Sequence, residues 1–132
     1  MMRAVLLLTI LFARQDVGFV AYDLVLDTAG KPLAAYQLEV TGAGKVVGVE
    51  GGDRKPFAAA PYYDPAALQG GRIVLAAFTT EENAPAGKVR VARLHMQEAG
   101  ATDYATKLVV AASPGGERIA AKIELVRQGE KK

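Results

Sequence analysis

The sequence predicts an all-β protein, a jelly-roll or immunoglobulin-like β-sandwich of about seven to nine strands. Apolar and polar residues alternate over most of the chain from residue 18 onward, which is the pattern of strands with one buried face. Short turn sequences rich in Gly and Pro separate these segments, and no long segment has helical periodicity. The length of 132 residues suits one domain, and 51% apolar residues are enough to build its core.

The first thirteen residues predict a secretory signal peptide. Arg3 is followed by ten residues, AVLLLTILFA, that carry no charge, and a positive start before a short apolar run is typical of such signals. Ten residues are too few to cross a bilayer core, which needs about 20, so we expect no membrane span. We expect residues 1–13 to be a signal, residues 14–132 to form the domain, and the protein to be exported. A buried first strand or a misassigned start codon is the alternative.

The first half of the domain contains three predicted strands. The first covers residues 20–27, a Gly-Pro turn follows at residues 29–32, the second strand covers residues 34–41, and the third covers the Val-rich residues 45–50. Alternation predicts one apolar face for the first two strands. Its members are Val20, Tyr22, Leu24, Leu26, Ala34, Tyr36, Leu38 and Val40.

An irregular segment, residues 51–71, follows the third strand. Gly51 and Gly52 predict a bulge or tight turn there, because neither the Lys-Ser/Thr of a phosphate loop nor a helix comes next. Asp64 stands directly before Pro65, the arrangement of a cap and a first helical position. We therefore expect a single helical turn near residues 61–68.

Four further strands are predicted over residues 72–79, 88–97, 104–112 and 119–125. In the second of these the apolar phase slips by one residue, which predicts a β-bulge. The two phases are Val89 and Val91, then Ala92, Leu94 and Met96.

No catalytic, metal or cofactor site is predicted. The chain has no Cys, and its one His, His95, has no partner for a triad or a metal site. Glu50, Asp53 and Asp64 are the carboxylates considered for a small glycosidase, but no spacing here indicates the separation of about 5–10 Å that such a pair requires. The net charge of +2 does not indicate a nucleic-acid partner.

Aromatic and basic residues are the candidates for ligand binding. Phe57, Tyr62 and Tyr63, with the adjacent Asp64, lie between prolines, and exposed rigid rings are typical of sugar- and peptide-binding sites. The alternative is that these rings close one end of the sandwich. The basic residues Arg90, Arg93, His95 and Lys107 predict either an anionic-ligand patch on paired strands or a solvated sheet face.

The order of the strand sequences resembles that of cohesin-like domains of the bacterial carbohydrate-binding superfamily. The resemblance covers about residues 18–126, through YDLVL (22–26), LAAYQLEV (33–40), VVGVEGG (46–52), IVLAAF (73–78) and GKVRVARLHM (87–96). It implies a nine-stranded, non-catalytic jelly roll. Known members bind a dockerin module, and relatives bind polysaccharide. By analogy, the polar outward residues Gln37, Glu39, Arg90 and Arg93 are placed on strands where a sheet face meets a partner.

These observations favour an exported, non-catalytic binding module for polysaccharide or for a protein partner. The alternative is a structural subunit whose exposed strand edges pair with other copies.

Overall fold

The computed structural model describes residues 18–100 and 102–129. The predicted signal peptide, residues 1–13, lies outside the described residues. The described residues form seven strands and one 3-10 turn. These are β1 (Gly18–Asp27), β2 (Ala35–Gly42), β3 (Lys45–Gly51), the 3-10 turn (Pro65–Ala67), β4 (Arg72–Phe78), β5 (Lys88–Glu98), β6 (Tyr104–Ala112) and β7 (Lys122–Arg127).

The strands form two antiparallel sheets, one in the order β3-β5-β1-β7 and one in the order β4-β2-β6. Side chains from both sheets share one core: Leu24 and Leu94 from the first sheet and Leu38 and Leu75 from the second have no solvent exposure. This arrangement confirms the predicted all-β sandwich, because each sheet buries its apolar face against the other.

The predicted alternation is confirmed along β1, where Tyr22, Leu24 and Leu26 are buried. In β7, apolar and polar side chains also alternate, but none of the apolar ones is fully buried. Ile123 is only half-buried, because β7 lies at the edge of its sheet.

The predicted bulge in β5 is confirmed. Leu24 of β1 faces Ala92, whereas the next residue, Val25, faces Arg90, so Val91 has no partner on β1. The extra residue changes the phase of the strand, and Val91 and Ala92 are both fully buried as a result.

The segment between β3 and β4 packs against the core and pairs with the edge of β4 at Ala76. Asp64 Oδ1 accepts a hydrogen bond from the Ala66 amide at 3.0 Å, and Pro65 opens the 3-10 turn, as predicted. Gly51 and Gly52 allow this segment to pack closely. A Cβ at Gly51 would collide with the Ala58 carbonyl oxygen, and one at Gly52 would collide with the Arg90 carbonyl oxygen.

In the part of the chain that the structure describes, no helix has the length and apolar character needed to cross a membrane.

Candidate functional site

The outer face of the sheet β3-β5-β1-β7 is charged, and its charges pair with one another. The Arg93 guanidinium donates to Asp23 through Nε at 2.7 Å and through Nη2 at 3.3 Å, and Arg90 Nη1 lies 3.8 Å from the same carboxylate. His95 Nε2 lies 2.5 Å from Glu50 Oε2. This face therefore has the character of a solvated sheet face, in which cations are held by neighbouring carboxylates.

The hydrogen bond to Asp23 raises the pKa of the Arg93 guanidinium, and the negative charge of Glu50 and Asp53 adds to this effect. The predicted grouping of Lys107 with Arg90 and Arg93 is wrong, because Lys107 lies on β6 in the other sheet. Strand alternation could not reveal this, since it does not show which strands pair.

The outer face of the sheet β4-β2-β6 has a different composition. Ala76, Gln37 and Val110 lie opposite one another across the three strands. Tyr62 extends this row, because its amide donates to the Ala76 carbonyl oxygen at 2.8 Å and its carbonyl accepts from the Ala76 amide at 3.1 Å. Directly opposed residues of an antiparallel pair project from the same face, so the ring of Tyr62 joins the outer surface of this sheet.

The neighbouring rows complete this surface, which we call the platform. On one side of Gln37, Phe78 lies opposite Ala35, which lies opposite Ala112. The segment after β6 extends this row, because Arg118 forms an isolated bridge with Ala112. On the other side of Gln37 lie two more rows, one of Val74, Glu39 and Lys107 and one of Arg72, Thr41 and Ala105. The platform consists of these four rows: Tyr62, Ala76, Gln37 and Val110; Phe78, Ala35, Ala112 and Arg118; Val74, Glu39 and Lys107; and Arg72, Thr41 and Ala105.

Two aromatic rings stand exposed on the platform. Tyr62 is 75% exposed and Phe78 is 68% exposed, and Val109 in β6, two strands away from Phe78, is 42% exposed. The platform residues next to Phe78, Ala76 on the same strand and Ala35 on β2, have small side chains. Exposed apolar patches are a common feature of interaction sites, so the platform is the candidate site.

The aromatic segment predicted from the sequence is divided between core and surface. Phe57 is 3% exposed, and its ring packs edge-on against Tyr36 with the centroids 5.7 Å apart. Tyr63 is half-buried against the core, and Asp64 caps the 3-10 turn. Of the four predicted residues in this segment, only Tyr62 lies on the platform.

The candidate binding residues therefore do not form one site. Gln37 and Tyr62 lie together on the platform, whereas Arg90 and Arg93 lie on the opposite outer face of the sandwich. Phe78 was not among the residues predicted from the sequence. Alternation along β4 could have identified it: Ile73 and Leu75 are buried, so residues 74, 76 and 78 point to the outer face.

A second polar cluster lies where the two sheets meet. The buried carboxylate of Glu98 accepts hydrogen bonds from Tyr22 Oη at 2.6 Å and from Tyr104 Oη at 2.8 Å, and Arg127 Nη1 lies 4.0 Å from its other oxygen. Burial raises the pKa of the Tyr104 phenol, and the hydrogen bond to Glu98 raises it further. A cavity of about 270 Å³ adjoins this cluster.

This cluster joins strands of both sheets: β1, β5 and β7 from one sheet and β6 from the other. Its carboxylate is occupied by two phenols and faces a guanidinium, so we assign it a structural role. Glu98 was not predicted from the sequence, because two of its three partners, Tyr22 and Arg127, lie on distant strands.

Among residues 18–100 and 102–129, no three His, Cys, Asp or Glu side chains lie close enough together to hold a metal ion. Comparison with family models, with curated proteins and with solved structures finds no match to this chain.

Proposed function

We propose that this protein is an exported, non-catalytic binding module that holds polysaccharide on the platform. The observation that carries the proposal is the pair of exposed rings, Tyr62 and Phe78, held on one outer sheet face together with the exposed amide of Gln37. Sugar rings have an apolar face that packs on aromatic side chains and hydroxyl groups that bond to amides.

The position of the rings favours binding over a purely local packing role. Tyr62 is fixed by two backbone hydrogen bonds to Ala76, and Phe78 belongs to β4 itself. Their backbones are therefore already ordered before a ligand arrives, which reduces the entropy lost on binding.

The size of the platform favours polysaccharide over a protein partner. Four strand spacings, from Tyr62 to Arg118, give a width of about 19 Å, and the seven residues of β4 give a length of about 20 Å. The resulting area of roughly 400 Å² is well below the ~800 Å² that each partner of a stable protein complex buries. A polysaccharide chain needs a narrower contact surface.

The strand edges favour this proposal over self-assembly through strand pairing. Tyr62 covers β4 at Ala76, and bulges at Val47 in β3 and at Val109 in β6 interrupt two other edges. Bulges and covered edges are features by which proteins prevent pairing between copies.

Affinity electrophoresis in gels that contain single polysaccharides tests the proposal. We expect at least one polysaccharide to retard the domain, and Tyr62→Ala and Phe78→Ala each to weaken that binding about tenfold, the effect of removing a central contact residue.

Phe19→Ala is the matched control. Phe19 is also a highly exposed ring, at 73%, but it lies on β1 in the other sheet. Equal retardation of all three variants would place the ligand elsewhere, and the absence of retardation across the panel would refute polysaccharide binding.

A further inference from the structure

We infer that the ligand of the platform is an acidic polysaccharide, one whose sugar rings carry carboxylate groups. This inference rests on the proposed function and adds the chemical class of the ligand. It is based on the charges of the platform and on their position relative to the exposed rings.

The platform has an excess of positive charge. Three of its residues are cations, Arg72, Lys107 and Arg118, and one is a carboxylate, Glu39, which leaves a net charge of +2 on this face. Arg72 bonds directly to Glu39. The carboxylate is therefore already neutralised, and the other two cations supply the excess.

Lys107 and Arg118 differ from the cations of the opposite face. Both side chains are exposed, and neither forms an ion pair with any residue that the structure describes. On the opposite face, by contrast, Arg90 and Arg93 share Asp23. Lys107 lies opposite Glu39 on β2, but that carboxylate is already bonded to Arg72. A face with two more cations than carboxylates complements an anionic ligand.

The positions of the rings and the cations indicate a polymer. Phe78 and Arg118 stand at opposite ends of one row, three strand spacings or about 14 Å apart. The second distance is between the two cations along the strand. Lys107 lies about 13 Å from Ala112, the residue opposite Arg118, because the bulged residue Val109 adds no length to β6. A single sugar ring cannot touch an aromatic ring at one edge and a cation at the other. A chain of uronic acid units presents both apolar ring faces and repeated carboxylates.

The test compares two forms of one polymer: polygalacturonate and the same polymer with its carboxylates methyl-esterified. Esterification removes the charge and keeps the sugar backbone. We expect the free acid to bind more tightly, and its advantage to shrink when the salt concentration is raised, because exposed charges are screened.

The variants Lys107→Gln and Arg118→Gln locate the charge effect. Each should weaken binding of the free acid about two- to fivefold, the effect of one exposed ion pair, and leave binding of the ester unchanged. Lys122→Gln is the control, because it removes the same charge from an exposed position on β7 in the other sheet.

The outcomes separate this inference from the proposed function. Equal binding of acid and ester would refute the acidic ligand and leave polysaccharide binding in place. Binding of neither form, or of any other polysaccharide, would refute both. A dimer in sedimentation that is lost in Phe78→Ala would instead make the platform a contact between copies and would overturn the inference.

Discussion

Two aromatic residues of the same irregular segment, Phe57 and Tyr62, should respond to truncation in opposite ways. Phe57 is 3% exposed and packs against Tyr36, whereas Tyr62 is 75% exposed. Replacing Phe57 by Ala removes the buried ring and leaves a cavity, and Phe→Ala changes in cores cost about 3–5 kcal/mol. Replacing Tyr62 by Ala removes little buried surface and should change the free energy of unfolding by less than about 0.5 kcal/mol.

The loss in Phe57→Ala is a large part of the stability of a typical domain, which is about 5–15 kcal/mol. Equilibrium unfolding in urea, followed by far-UV circular dichroism, measures it, since the chain has no Trp to report by fluorescence. With an ordinary dependence on urea, the midpoint should fall by roughly 1.5–3 M.

Phe57→Leu is the intermediate variant, because it keeps an apolar side chain of smaller volume, and its midpoint should lie between those of Phe57→Ala and the unaltered protein. The reasoning fails if Phe57→Ala unfolds at the same urea concentration as the unaltered protein. It also fails if Tyr62→Ala is destabilised by more than about 2 kcal/mol, since its ring would then be packed.

Three further predictions concern buried tyrosines. The Tyr36 hydroxyl is buried and has no hydrogen-bond partner among the described residues. Tyr36→Phe should therefore leave the free energy of unfolding in urea unchanged or raise it by up to about 1 kcal/mol. A loss of more than about 1 kcal/mol would show that the hydroxyl has a partner. Tyr104→Phe removes a donor to the buried Glu98 carboxylate and should cost about 1.5–3 kcal/mol, with an unchanged urea midpoint as the contrary result. Burial raises the pKa of Tyr36 above its ordinary value of 10.0. Above pH 10 the Tyr36 phenol therefore loses its proton in the unfolded chain but keeps it in the folded chain. The free energy of unfolding should then fall, as the pH rises, by up to about 1.4 kcal/mol per pH unit. Urea unfolding at a series of alkaline pH values measures this slope, and Tyr36→Phe should reduce it.

The strands, the bulge and the capped turn could be predicted because each depends on neighbours in the chain. Side chains alternate across a strand, so the pattern around Leu24 was sufficient to predict β1. The bulge at Val91 appeared as a change of phase, and the turn after Asp64 depends on two adjacent residues. These are local rules of backbone geometry.

The candidate site could be predicted only in part. Gln37 and Tyr62 were identified one by one, but their proximity depends on the pairing of Tyr62 with Ala76, which no local pattern contains. Phe57 and Tyr62 had the same signal in the sequence. Their burial differs because Phe57 packs on Tyr36 in the core, whereas Tyr62 pairs with the edge of β4.

The sequence by itself determined that this chain is a sandwich of alternating strands that no disulfide holds together, since it has no Cys. Only the tertiary structure decided the order of the strands in the sheets, and with it the difference between the two outer faces. Alternation shows that a residue points outward, but pairing determines its neighbours. For this reason Arg93 lies in a charged network with Asp23, whereas Lys107 lies on the platform.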